Sequence, residues 1–213
     1  MIASRSHNFI FIKTRKTGST SLEIVLSSWC TGRDICTPIS PEDEVVRRQF
    51  GGAARNHLGM WGRPKFYNHM PAREVRRKLP SLWRRAETFA VERHPYEKAV
   101  SLAWFQLAQR GLPDDRIHAE IEAVIAEKLY LNHPLYADKG RLLISEVWDY
   151  PEAWLKLERL ASRLGTTLPA ELPRAKSRFR KDSRPAREIL SREQRAAIYR
   201  DARFEFDLMS YEP

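Results

Sequence analysis

Asn8-Phe-Ile-Phe-Ile-Lys13 is a short β-branched and aromatic run between polar flanks, the pattern of a buried strand. It leads into the polar stretch Thr14-Arg-Lys-Thr-Gly-Ser-Thr-Ser21. Beyond it Leu22, Val25, Leu26 and Trp29 fall on one face of a helix. Ser40 as N-cap, Pro41 at the first helical position and Glu42, Asp43 and Glu44 in the first turn open a short second helix. Residues 51–66, with Gly51, Gly52, Gly59, Gly62 and Pro64, read as loop, and a basic helix runs from about Ala72 to Leu79. Thr88 to Val91 reads as a second buried strand, ending at Arg93-His-Pro95 and followed by a helix to about Gln109. Ile117, Ile121, Val124, Ile125 and Leu129 mark a core-facing helix, Leu142 to Ile144 a third strand, and Glu152 to Leu164 a further helix. Ser191-Arg-Glu-Gln194 is a capping box for the last one. Strands alternating with helices predict an α/β fold with a parallel sheet covered on both faces, in which ligands sit at the carboxyl ends of strands.

The 213 residues suit one domain with a single core, residues 1–213. Cys30 and Cys36 are too few and too close for a disulfide framework and read as reduced thiols. The histidines form no i,i+4 pair and neither cysteine has a partner at ligand spacing, so no metal site is expected. No apolar run approaches the roughly 20 residues of a membrane span. Phe9 to Ile12 is followed by no small-residue cleavage site, so no signal peptide is expected and the expected location is the cytoplasm. The net charge of +10 calls for an anionic partner: nucleic acid, an acidic membrane face, or a small phosphorylated or sulfated molecule.

Lys16-Thr-Gly-Ser-Thr-Ser21, directly after a strand and directly before a helix, is the strongest chemical signal. Unpaired N–H groups and partial positive charge at a helix start attract phosphate or sulfate. Gly18 lets the backbone approach an anion, the hydroxyls of Thr17, Ser19, Thr20 and Ser21 are donors, and Lys16 supplies a cation; an ordinary N-cap cluster is the alternative. The spacing is not the G-x-x-x-x-G-K-[ST] of nucleoside triphosphatases. A second signal, Glu92-Arg-His-Pro-Tyr-Glu-Lys-Ala-Val-Ser101, also ends a strand, and Arg93 and Ser101 could together grip one anion.

With these two segments the chain resembles the sulfotransferases that use 3'-phosphoadenosine 5'-phosphosulfate (PAPS), in particular the carbohydrate branch with the heparan sulfate 2-O-type enzymes and their bacterial relatives. Thr37-Pro-Ile-Ser-Pro-Glu-Asp-Glu44 and Phe66-Tyr-Asn-His-Met-Pro-Ala72 resemble that bacterial group as well. The resemblance implies a P-loop nucleoside-kinase-like three-layer fold, PAPS as donor and no metal. It implies that Lys16 to Ser21 hold the phosphosulfate, that Lys16 also stabilises the leaving group, and that Arg93 and Ser101 hold the 3'-phosphate. The chain departs from many relatives in having Arg15 where they have proline. Lys13 reads as a strand-end surface lysine, with a second cation for the loop as the alternative.

His69 is the candidate general base, since sulfuryl transfer needs positioning, charge stabilisation and removal of the acceptor's proton. The start of the helix near Pro71 should favour its neutral imidazole, and the family's base lies in a similar segment, which favours His69 over His57. The basic stretch 174–184, with Lys176, Arg178, Arg180, Lys181 and Arg184, reads as a loop that closes over the cofactor, gathers an anionic acceptor, or is a solvated charge run. The charges of the helix from Arg73 to Lys78 read as solvent face. Trp104 and Trp148 read as core, and Trp61, in a glycine-flanked loop, is the candidate for acceptor contact. The expected activity is sulfuryl transfer to a hydroxyl of a carbohydrate or glycolipid; the rivals are a nucleotide kinase on the same core and a basic nucleic-acid-binding protein. No residue names the acceptor or the oligomeric state.

Overall fold

The computed structural model describes residues 1–171, 173 and 179–213. The elements in chain order are β1 (Ile2–Ser4), β2 (Phe9–Ile12), α1 (Ser19–Ser28), β3 (Ile35–Cys36), α2 (Pro41–Gln49), α3 (Ala72–Lys78), α4 (Pro80–Trp83), β4 (Glu87–Glu92), α5 (Pro95–Gln109), α6 (Ile117–Ala126), α7 (His133–Tyr136), β5 (Ala137–Asp138), β6 (Arg141–Leu142), β7 (Glu146–Asp149), α8 (Ala153–Leu164), α9 (Ala186–Ile189), α10 (Arg192–Asp201) and α11 (Arg203–Met209). The predicted caps are present: the Ser40 side chain accepts from the Asp43 amide with Pro41 opening α2, and Ser191 and Gln194 form the reciprocal box of α10.

The protein is α/β, and its five-stranded sheet has the order β3-β1-β2-β4-β7. The sheet is mixed, which corrects the expectation of a parallel one. β2 and β4 are parallel neighbours, from Phe9 opposite Glu87 to Ile12 opposite Ala90, but β1 runs antiparallel to both β2 and β3. β1 and β3 are too short to show a period-two pattern. The turn between β1 and β2 also lacks the usual glycine signal: there the Asp34 carboxylate accepts from the Arg5 and Ser6 amides at 2.6 and 3.0 Å. The third strand is also displaced. Leu142 pairs with Ala137 in a separate two-stranded ribbon, and the strand that completes the sheet is β7, four residues further on at Glu146. Its Trp148 is buried and stacks on Phe89 with ring centroids 4.1 Å apart.

The chain divides into two compact units: residues 1–14, 18–91 and 134–175 form one, and residues 15–17, 92–133 and 176–213 the other. In the first, Ile2, Phe9, Phe11, Phe89, Val91 and Trp148 make one apolar face of the sheet. Leu22, Val25, Leu26 and Trp29 of α1 and Leu157, Leu160 and Ala161 of α8 close over that face. Cys30 and Cys36 are buried free thiols in this core. The second unit is helical. Tyr96, Ala99, Val100, Ala103 and Trp104 of α5 pack with Ile121, Val124 and Ile125 of α6, Ile198 of α10 and Phe206 of α11. Ile121, Val124 and Ile125 bury α6 as expected, while Ile117 is half-buried and Leu129 lies beyond the helix end at Ala126. No helix among the described residues is long and apolar enough to cross a membrane.

Candidate functional site

Because β2 and β4 are parallel neighbours, the two basic segments begin at strand ends that point the same way. Thr14 fastens these ends together, its hydroxyl donating to the Val91 carbonyl at 2.5 Å. The Ser19 hydroxyl donates to the Thr14 carbonyl at 2.5 Å, so its proton braces the loop. Gly18 is the N-cap of α1 in the left-handed region (φ 67°), and no side chain caps the helix. The Gly18 carbonyl accepts from the Ser21 and Leu22 amides at 3.0 and 3.4 Å, closing the first turn of α1. Thr20 and Ser21 are half-buried there. A Cβ on Gly18 would come within 2.7 Å of the Tyr150 ring, so a side chain there would require the ring to shift.

His69 has a φ of 55° and sits just before the Pro71 N-cap of α3. Its Nδ1 is 3.1 Å from the carbonyl oxygen of Lys13, the residue at which the first loop opens. A carbonyl only accepts, so Nδ1 carries the hydrogen and the neutral ring keeps its lone pair on Nε2.

The helical unit carries the remaining candidates. Lys16 is half-buried, with Nζ 4.3 Å from the centroid of Phe105. Thr17 is fully buried. Arg93 and Arg180 converge on a single carboxylate: Glu97 Oε2 lies 3.0 Å from Arg93 Nη2 and 2.5 Å from Arg180 Nη1, while Glu97 Oε1 accepts from the Ala186 amide at 2.8 Å. Burial works against ionisation of Glu97, but the Ala186 amide and the two guanidiniums hold its carboxyl below the usual range. Ser101 stands one helical turn beyond Glu97 on the same face of α5. Arg178 and Lys176 lie outside the described residues. Lys181 and Arg184 are exposed and pair with Asp114 and Asp182. Arg76 and Arg77 of α3 are exposed as expected.

Lys13 corrects the expectation of a surface lysine: it is buried, its Nζ 2.7 Å from Glu23 Oε2. Glu23 sits on the inward face of α1, where Arg47 Nη2 and the Met1 amino nitrogen also approach it, at 3.3 and 3.0 Å. Lys13 is thus a strut between strand and helix.

The sequence reading missed Asn132 altogether. It is fully buried, its Oδ1 accepting from the Arg15 amide at 2.8 Å and its Nδ2 donating to the Arg15 carbonyl at 2.9 Å. Its own backbone amide donates to Glu205 at 2.6 Å. Glu205 and Glu92 share Lys98, whose Nζ is 2.7 Å from Glu92. Burial opposes ionisation of Glu205, yet Lys98 and His133 hold it down to about 2, whereas burial raises Glu92. Glu92 and Lys98 of the second segment therefore belong to a buried framework under Arg15. A lone Asn between helices gives no sequence signal for such a role.

No group of three metal-ligating side chains occurs among the described residues. Compared with protein-family models, curated proteins and solved structures, the chain matches none.

Proposed function

We propose that the chain is a sulfotransferase with a P-loop nucleoside-kinase-like core that moves a sulfuryl group from PAPS to a hydroxyl of a carbohydrate or glycolipid. The observation that carries the reading is the His69–Lys13 hydrogen bond: it ties His69 to the backbone at the end of β2, three residues before Lys16, and makes Nε2 the basic nitrogen of the neutral ring. The convergence of Arg93 and Arg180 on Glu97, beside Ser101, supports a site for a second phosphate.

In the proposed reaction, His69 Nε2 takes the acceptor hydroxyl's proton as its oxygen forms a bond to sulfur. The bond from sulfur to the bridging oxygen breaks, and 3'-phosphoadenosine 5'-phosphate leaves with the electron pair. Lys16, Thr17, Gly18, Ser19, Thr20 and Ser21 hold the phosphosulfate, through backbone amides where the hydroxyl is already engaged, as in Ser19. Lys16 also neutralises charge developing on the bridging oxygen. Arg93 and Ser101, with Arg180 and Arg178 of the late basic stretch, hold the 3'-phosphate.

Calorimetric titration with 3'-phosphoadenosine 5'-phosphate and with AMP tests the donor. Tighter binding of the former supports the reading, and equal affinity refutes it. Transfer from labelled PAPS into cell-extract acceptors should fall about 10²–10⁴-fold in His69→Ala with nucleotide affinity retained. Unchanged transfer in both His69→Ala and Lys16→Ala removes the proposed catalytic roles.

A further inference from the structure

The loop between His57 and Phe66 is a closed hairpin: Gly59 donates to the Arg63 carbonyl at 2.8 Å, Lys65 to the His57 carbonyl at 2.8 Å, and Leu58 bridges Pro64. A loop fixed in this way would be expected to turn its large apolar side chains inward. Instead Trp61 is 90% exposed, Met60 79% and Leu58 50%. Trp61 also holds a left-handed backbone (φ 61°, ψ 24°), an unfavourable conformation for so bulky a residue. The fold thus spends a strained backbone on presenting an indole to solvent.

The charge along this stretch of the chain has one sign. Between Glu44 and Glu74 the sequence contains no acidic residue, and Arg63 and Lys65 flank the tip as exposed cations. Arg55, half-buried, sits just before the hairpin. Protruding Leu, Met and Trp side chains with basic neighbours match the two layers of an acidic bilayer surface. Trp settles at the level of the headgroups, aliphatic side chains go just beneath, and Lys and Arg remain among the phosphates. A sugar or a base would account for the indole, but neither would account for Met60 and Leu58 beside it.

We propose that the hairpin tip Leu58–Met60–Trp61 inserts into an anionic lipid bilayer, with Arg63 and Lys65 contacting its headgroups. This inference stands apart from the sulfotransferase reading, because membrane binding needs neither PAPS nor His69.

Co-sedimentation of the full chain with phosphatidylcholine vesicles, with and without about a third phosphatidylglycerol, reads the partition directly. The protein should sediment with the anionic vesicles and not with the neutral ones. The double variant Met60→Ser/Trp61→Ala should lower that partition by about tenfold or more, with an unchanged circular dichroism spectrum because both side chains lie outside the core. Arg63→Glu/Lys65→Glu should lower it as strongly, and brominated lipid should quench wild-type fluorescence more than that of Trp61→Phe. Equal partition of the wild type and Met60→Ser/Trp61→Ala overturns the proposal. So does failure to bind anionic vesicles, or binding of heparin or single-stranded RNA that needs Trp61 while vesicle binding does not.

Discussion

Asn132 grips the backbone of Arg15 at both ends, accepting from its amide at 2.8 Å and donating to its carbonyl at 2.9 Å. Side-chain amides suit this task because they offer a donor and an acceptor in one plane. Asn132→Ala removes both bonds and leaves the partners unmatched, so it should lower stability by about 2–3 kcal/mol, measured by urea unfolding. Asn132→Asp keeps an acceptor but loses the donor, and adds a negative charge where Asn132 Nδ2 stood 3.3 Å from Glu92. It should be the less stable of the two at neutral pH and should gain on Asn132→Ala as acid neutralises it. The reverse order would remove the electrostatic part of the argument.

Gly18 carries two constraints that can be separated. Its φ of 67° disfavours any side chain by about 1–2 kcal/mol, and a Cβ would stand 2.7 Å from the Tyr150 ring. Gly18→Ala should therefore destabilise by more than the backbone contribution alone. Tyr150→Ala in the same chain should recover the contact part and leave the backbone part. A double-mutant cycle on thermal unfolding reads the difference, and strict additivity would mean the ring yields freely.

The parts of the fold legible in the sequence were those whose signal is local. Phe9 to Ile12 and Thr88 to Val91 are apolar runs between turn residues, and Ser40-Pro41 and Ser191 to Gln194 spell their caps, so β2, β4, α2 and α10 stand where expected. β1 and β7 were not legible. Ile2–Ser4 has no room for a pattern, and Glu146–Asp149 reads Glu-Val-Trp-Asp, two apolar residues between two acidic ones, with no alternation to mark a strand. The same division runs through the candidate site. Lys16, Gly18, Arg93 and His69 stand out by residue type and position, but Asn132 acts through Arg15, 117 residues away in the chain, and the Lys13–Glu23 pair forms only once α1 packs back on the strand.

Arg93, Arg180 and Glu97 give a test that separates binding from folding. The Arg93–Glu97 pair is partly exposed, so Arg93→Ala should change stability by no more than about 1 kcal/mol. Yet if Arg93 holds a 3'-phosphate, the preference for 3'-phosphoadenosine 5'-phosphate over AMP should drop about tenfold or more, since a charged hydrogen bond is lost. AMP affinity itself should barely move. Loss of affinity for both nucleotides in equal measure would place Arg93 away from that phosphate.

Glu23 links stability to acid. Burial alone would raise its carboxyl, but Lys13, the Met1 amino group and Arg47 overcome that and hold it well below the usual glutamate range. A folded pKa below the unfolded one means that the ionised form favours the native state. The contribution is fully present above the unfolded value near 4.5 and drains away as pH falls further. Urea midpoints taken at falling pH should thus decline for the wild type, and the decline should be shallower for Glu23→Gln, which has no proton to take up. Glu23→Gln should itself be less stable at neutral pH, because the buried Lys13 loses the carboxylate 2.7 Å away and Arg47 is left with Glu44 alone of its two carboxylates, and breaking a buried pair from one side costs about 3–5 kcal/mol. Lys13→Met should cost a similar amount at neutral pH and shift Glu23 upward. Parallel acid limbs in the wild type and Glu23→Gln would assign the acid sensitivity to other carboxylates, with Glu205 the next to examine because Lys98 holds it down to about 2.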